Sequence, residues 1–178
     1  MLLRIALISL LLLPLSAGDG RAGVDAEVAG DALGILLPFY ALAHTAVVKD
    51  REGTKQLALS LGVSVATTLA LKLTIDKQRP DDSGHDSFPS GHTAAAFGGA
   101  AFLQRRYGWG YGAPAYALAT FVGWSRVHAD RHRVEDVVAG AAISLASAYY
   151  FVSSREGGVA VELLHSPEFS GARVSWAY

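Results

Sequence analysis

The sequence predicts an all-α fold, a bundle of five to six helices expected to be embedded in a membrane, with a short C-terminal β-hairpin-like tail. Three observations carry this expectation. Five apolar, alanine-rich segments of helical length cover about 31–48, 56–75, 90–104, 112–127 and 134–152. None shows the strict alternation of a strand, and most are too long for one. Gly and Pro fall between them, at Gly84 and Pro89 and again in "YGWGYGAP" ending at Pro114.

In chain order, "MLLRIALISLLLLPLSAGDG" sets one positive charge, Arg4, before an apolar run closed by Ser16, Ala17 and Gly18. The run is shorter than the ~20 residues of a spanning helix and reads as a secretory signal peptide, an uncleaved first membrane helix being the alternative. The expected division is 1–18 for that segment, 19–155 for the helical domain and 156–178 for the tail. Segments 31–48 and 56–75 are long enough to cross a bilayer, whereas 90–104 and 112–127 are short. The tail, "GVAVELLHSPEFSGARVSWAY", alternates apolar and polar residues around a "HSPEFSG" turn, as a hairpin does. If the segments alternate in direction, 49–55 and 105–110 share one face and the loops 76–90 and 126–135 share the other. Lys49, Arg51, Lys55, Arg105 and Arg106 then make the first face cytoplasmic. The second pair of loops, also basic, faces outward and needs another explanation.

Bulk numbers narrow the function. A net charge of −1 provides no basic field for nucleic acid, and zero cysteines exclude disulfides, thiolate metal sites and a cysteine nucleophile. The chain is 51% hydrophobic, yet it crowds charge into "SRVHADRHRVED" between two apolar segments.

Read together, the two outward loops compose one site. In "LKLTIDKQRP", Lys72 and Arg79 are two helical turns apart, which predicts one face, with Arg79 near the helix end before Pro80. In "SFPSGHTAAAF", Ser90 is a good N-cap, and the Gly91 amide opens a helix where an anion is favoured. His132 and Asp136 are four apart at a helix start, which predicts the carboxylate beside the imidazole. Lys72, Arg79 and Arg126 with the Ser90–Gly91 amides suit a tetrahedral dianion, phosphate, and the spread negative charge of phosphoryl transfer. Asp136 is then expected to orient His132 as nucleophile, and His92 to protonate the departing alkoxide and later activate water. No metal and no cofactor are needed, because the cations supply the charge.

Lys72-x6-Arg79-Pro80, Pro89-Ser90-Gly91-His92 and Ser125-Arg126-x5-His132-x3-Asp136 resemble the three-part motif of the type 2 phosphatidic acid phosphatase (PAP2) superfamily. That superfamily includes lipid phosphate phosphatases, bacterial acid phosphatases and vanadium haloperoxidases. The resemblance runs from 72 to 140 in the family order, with no departure at any motif position. It implies a PAP2-type helical core, His132 as nucleophile and His92 as acid. It likewise implies Lys72, Arg79, Ser90, Gly91 and Arg126 as the phosphate cradle. The expected activity is hydrolysis of phosphate monoesters or diphosphates, lipid-linked, at the inner membrane with the site facing the periplasm. A soluble periplasmic acid phosphatase is the alternative, and a vanadium haloperoxidase a more distant one. The partners expected are a lipid phosphate substrate and the membrane.

Other polar residues invite blander readings. "DDSGHD" (Asp81 to Asp86) has the composition of a hard-metal site but reads better as a solvated loop whose aspartates support turns and offset neighbouring cations. Asp76 is a candidate partner for Lys72 or Arg79. His44 reads as a packed polar side chain, and His128 and Asp130 have no assigned role.

Overall fold

The computed structural model describes residues 22–155, together with the backbone of 160–166 and 169–175. The N-terminal segment read as a signal peptide or first helix lies outside the described residues. Five helices follow: α1 (Ala22–Val47), α2 (Arg51–Thr74), α3 (Gly91–Tyr107), α4 (Trp109–His128) and α5 (Val134–Phe151). Strands β1 (Ala160–Ser166) and β2 (Phe169–Ser175) pair antiparallel, from Ala160 opposite Ser175 to Ser166 opposite Phe169, in the part of the tail read as a hairpin.

Helix α3 is the axis of the bundle and packs against the other four helices. Its Ala96, Ala100, Ala101, Phe102 and Leu103 are fully buried, against Leu37 and Ala41 of α1, Leu57 of α2 and Leu118 and Val122 of α4. Alanine at so many core positions lets the helices lie close, so modest apolar volume fills the interior.

The "YGWGYGAP" stretch departs from its sequence reading. Only Gly108 breaks the chain: its φ of +85° suits glycine and lets it end α3 and start α4. Gly112 and Pro114 lie inside α4. A Cβ on Gly112 would sit 2.4 Å from Gln104 Cβ, so that glycine is there for close packing.

Helices α1 and α2 are long and apolar enough to cross a membrane, and they are mostly unburied within the bundle. Ile35, Phe39, Leu59, Leu69 and Leu73 point outward from them. A helix serving a soluble core would bury its apolar stripe, so these faces suit lipid.

The bundle's two ends are polar in different ways. At one end, Asp50 caps α2 through the Gly53 amide and accepts two bonds from Arg106, both 2.8 Å, and one from the Tyr107 hydroxyl, 2.8 Å. Arg106 also donates to the Ser153 carbonyl at 3.1 Å. This buried network joins the α1–α2 turn, the end of α3 and the chain beyond α5. His44 is buried beside it, against the Tyr107 and Tyr111 rings. The other end gathers the C-termini of α2 and α4, the N-termini of α3 and α5, and the Asp31 region of α1.

Candidate active site

Lys72 projects from the last turn of α2, but the helix stops at Thr74 with Ile75 extended. Arg79 therefore lies in a loop, and helical spacing is not what unites it with Lys72. The loop folds back on itself instead. The amides of Lys77, Arg79 and Ser87 donate to the carbonyls of His85, Gly84 and Lys77. Asp86 completes the arrangement. Its carboxylate accepts from Arg79 Nε and Nη2 at 2.8 and 3.1 Å, and its carbonyl accepts from Lys72 Nζ at 2.5 Å. The Arg79 guanidinium holds the Asp86 carboxyl down to about 2. Asp76 pairs with neither cation; it meets His85 at 2.8 Å. The other "DDSGHD" carboxylates also have protein partners, Asp81 in Ser83 and Arg131, Asp82 in Gln78.

Ser90, fully buried, caps α3 by accepting from the Thr93 hydroxyl and amide at 3.0 and 3.4 Å. The first amides of α3 have no intrahelical acceptor and carry the positive end of the helix dipole. Helix α5 passes so close that a Cβ on Gly140 would lie 2.4 Å from the Ser90 carbonyl oxygen.

Arg126, in the last turn of α4, is 2% exposed. Its Nη1 donates to Asp31 Oδ1 at 2.5 Å and its Nη2 to the Glu27 carbonyl at 2.6 Å. The same Asp31 oxygen lies 3.1 Å from His92 Nε2.

His132 sits two residues before α5, not on it, so the helical four-residue spacing to Asp136 does not apply. Its Nδ1 donates to the Ser87 carbonyl at 2.7 Å, while Asp136 Oδ2 is 3.8 Å away. A carbonyl can only accept, so Nδ1 carries the hydrogen and Nε2 keeps its lone pair. Burial, reinforced by Arg79 and Lys72, pushes the imidazole down to about 4, so it is neutral near pH 7. Asp136 is fully buried and acts one step back. Its carboxylate accepts from the Ser87 hydroxyl (2.6 Å), the Arg133 amide (2.9 Å) and Lys77 Nζ (2.5 Å). Burial would raise that carboxyl, but these donors hold it below its ordinary value.

A cavity of about 350 Å³ results, lined by Gly34, Lys72, Arg79, Gly91, His92 and His132 among others. Ser90, Arg126 and Asp136 are buried and are not among its lining residues. Burial also lowers the His92 imidazole, as do Arg126, Arg79 and Lys72, against an upward pull from Asp31. Two lining cations, the start of α3 and two imidazoles around one cavity suit a phosphate-like anion.

Sequence reasoning missed Asp31, Lys77 and Ser87. Asp31 left a trace, an acid at the edge of an apolar run extending to His44. Lys77 and Ser87 left none, because only the folded loop brings them to Asp136.

The chain matches the family model described as the PAP2 superfamily over residues 53–157. It is 37% identical over 92 residues to a lipid A 1-phosphatase of Porphyromonas gingivalis, covering 49% of this chain and 20% of that protein. It is 33% identical over 138 residues to a lipid A 4'-phosphatase of Helicobacter pylori, covering 71% and 69%. The crystal structure of Aquifex aeolicus LpxE shares the fold with a TM-score of 0.64 at 23% identity, covering 84% of this chain and 91% of that one.

Proposed function

The chain belongs to the PAP2 superfamily, and from that premise we propose that it is a metal-independent phosphatase for lipid-linked phosphate. The observation that carries the reading is His132, held by its Nδ1 bond to the Ser87 carbonyl, lining one cavity with Lys72, Arg79, Gly91 and His92. A phosphate there receives charge-assisted bonds from Lys72 and Arg79 and the α3 amides, with Arg126 behind. His132 Nε2 bonds to phosphorus as the phosphorus–alkoxide bond breaks, and His92 gives its proton to the departing oxygen. Water then attacks the phosphohistidine and yields its proton to His92, and the phosphorus–nitrogen bond breaks to release phosphate. The positive charge is supplied by protein side chains, so activity is expected to persist in EDTA.

The lipid A phosphatase relatives and the lipid-suited faces of α1 and α2 support a phosphorylated glycolipid as the substrate class. Lys49, Arg51, Lys55, Arg105 and Arg106 lie towards the end opposite the site. By the positive-inside tendency this supports an inner-membrane protein whose site faces the periplasm. The exposed apolar helices argue against the soluble alternative.

Purified protein in detergent, offered lipid A, phosphatidate, polyprenyl diphosphate and an aryl phosphate, tests the reading. Phosphate release from the glycolipid, inhibited by vanadate and absent in a folded His132→Ala variant, is expected. No release from any lipid, or full activity in that variant, refutes it.

A further inference from the structure

Asp31 lies outside the three motif segments, 95 residues from Arg126, yet one of its oxygens bridges Arg126 and His92. We propose that Asp31 is a positioning residue that holds the His92 ring in place and opposes the surrounding cations in favour of its proton-bearing form, fitting the site to esters with poor, alkoxide-type leaving groups. The inference rests on the phosphatase reading above, with His92 as its acid.

The geometry restrains the carboxylate. Arg126 is buried and anchored by the Glu27 carbonyl and the Ser125 hydroxyl, so withdrawing Asp31 would strip a buried guanidinium of its counter-charge. The α1 backbone is packed tightly on both sides of the residue. A Cβ on Gly30 would lie 1.9 Å from Ser125 Oγ, and one on Gly34 3.2 Å from His92 Cδ2. Asp31 thus stays beside the ring.

The electrostatics state why the ring needs it. His92 is faced by Lys72 from α2, Arg79 and Asp86 from the loop, Arg126 from α4 and His132 before α5. Burial and three of these cations favour the neutral imidazole, and Asp31 opposes them. The Asp31 oxygen lies 3.1 Å from Nε2 as an ion pair, so its negative charge favours the imidazolium form of that ring. The charged ring gives its proton to the leaving oxygen as the phosphorus–oxygen bond breaks. The neutral ring, still beside Asp31, then takes a proton from the attacking water.

General acid catalysis matters most when the leaving group is a poor one, typically contributing 10²–10⁴-fold. The test therefore compares Asp31→Asn with wild type on an aryl and an alkyl phosphate of similar size, over a pH series. The alkyl ester is expected to lose roughly 10–100-fold more in kcat than the aryl ester. The alkaline limb of kcat/KM is expected to move to lower pH. Equal losses on both esters with an unmoved limb would mean a merely structural role and overturn the proposal. Wild-type protein that releases phosphate neither from these esters nor from lipid A would sink the phosphatase reading itself, a distinguishable result. Should the variant not fold, ¹⁵N NMR of histidine-labelled wild type decides, with the His92 signal assigned by its loss in His92→Gln. A His92 ring that takes up a proton within the active pH range supports the proposal, and one that stays neutral across it overturns it.

Discussion

Replacing Gly140 with alanine offers a sharp test of how the site is held. The added Cβ would lie 2.4 Å from the Ser90 carbonyl oxygen and 3.3 Å from the Ala94 amide nitrogen, whereas ordinary contacts begin at 3.4 Å. The gap must open by about 1 Å. Neither side can rotate away, because the Cβ is fixed to the α5 backbone and the atoms it meets are main chain. Ser90 is also pinned, its amide to the Asp136 carbonyl at 2.9 Å and its carbonyl to the Ala94 amide at 3.0 Å. The displacement falls on the start of α3, which carries Gly91 and His92. Misplacement by ~1 Å can cost on the order of 10²-fold, equivalent to about 2.7 kcal/mol of barrier. Overpacking should also cost about 1–3 kcal/mol of stability. The assay is hydrolysis of a soluble aryl phosphate in detergent, beside a thermal melt. Gly62→Ala is the control, since nothing lies within 4 Å of a Cβ there and Gly62 is mid-helix in α2. It should gain about 0.5–1 kcal/mol and keep full activity. Wild-type turnover in folded Gly140→Ala would refute the claim that this contact sets the cradle.

The pH profile of kcat/KM should be bell-shaped and acidic. His132 must be neutral, so the acid limb falls at about pH 4. His92 must be protonated and titrates below its ordinary 6.5, so the alkaline limb falls below that value. A profile rising steadily beyond pH 7 would contradict these roles. Ser87→Ala removes one donor from the buried Asp136 carboxylate and should lower stability by about 1–3 kcal/mol by denaturant titration. Its main chain still orients His132, so its turnover should fall far less than that of His132→Ala. Arg106→Met strands the buried Asp50 carboxylate and should cost about 3–5 kcal/mol. Adding Asp50→Asn should restore part of that loss; a larger loss in the double variant would refute the ion-pair account.

Features that depend on neighbours in the chain were legible in the sequence. Ser90 acts as an N-cap three residues before its partner Thr93, and the five apolar runs mark the five helices to within a few residues, except where α1 and α2 begin earlier. Features that depend on the folded loop were not. Lys72 and Arg79 look like neighbours on a helix, yet they converge because Asp86 holds both. The spacing of His132 and Asp136 suggests direct contact, yet the Ser87 carbonyl intervenes because His132 precedes the helix. Gly112 looked like a breaker because composition does not distinguish a glycine that bends the chain from one that admits a neighbouring helix.

The carboxylates of Asp86 and Asp31 already hold Arg79 and Arg126. The chain can therefore assemble this concentration of like charge before any phosphorylated lipid arrives, without borrowing an ion from solution. On the proposed reading, substrate phosphate takes over Arg79 from Asp86, while Asp31 keeps the buried Arg126 paired throughout. Asp86, tethered beside Arg79, is then placed to compete with the departing anion for that guanidinium.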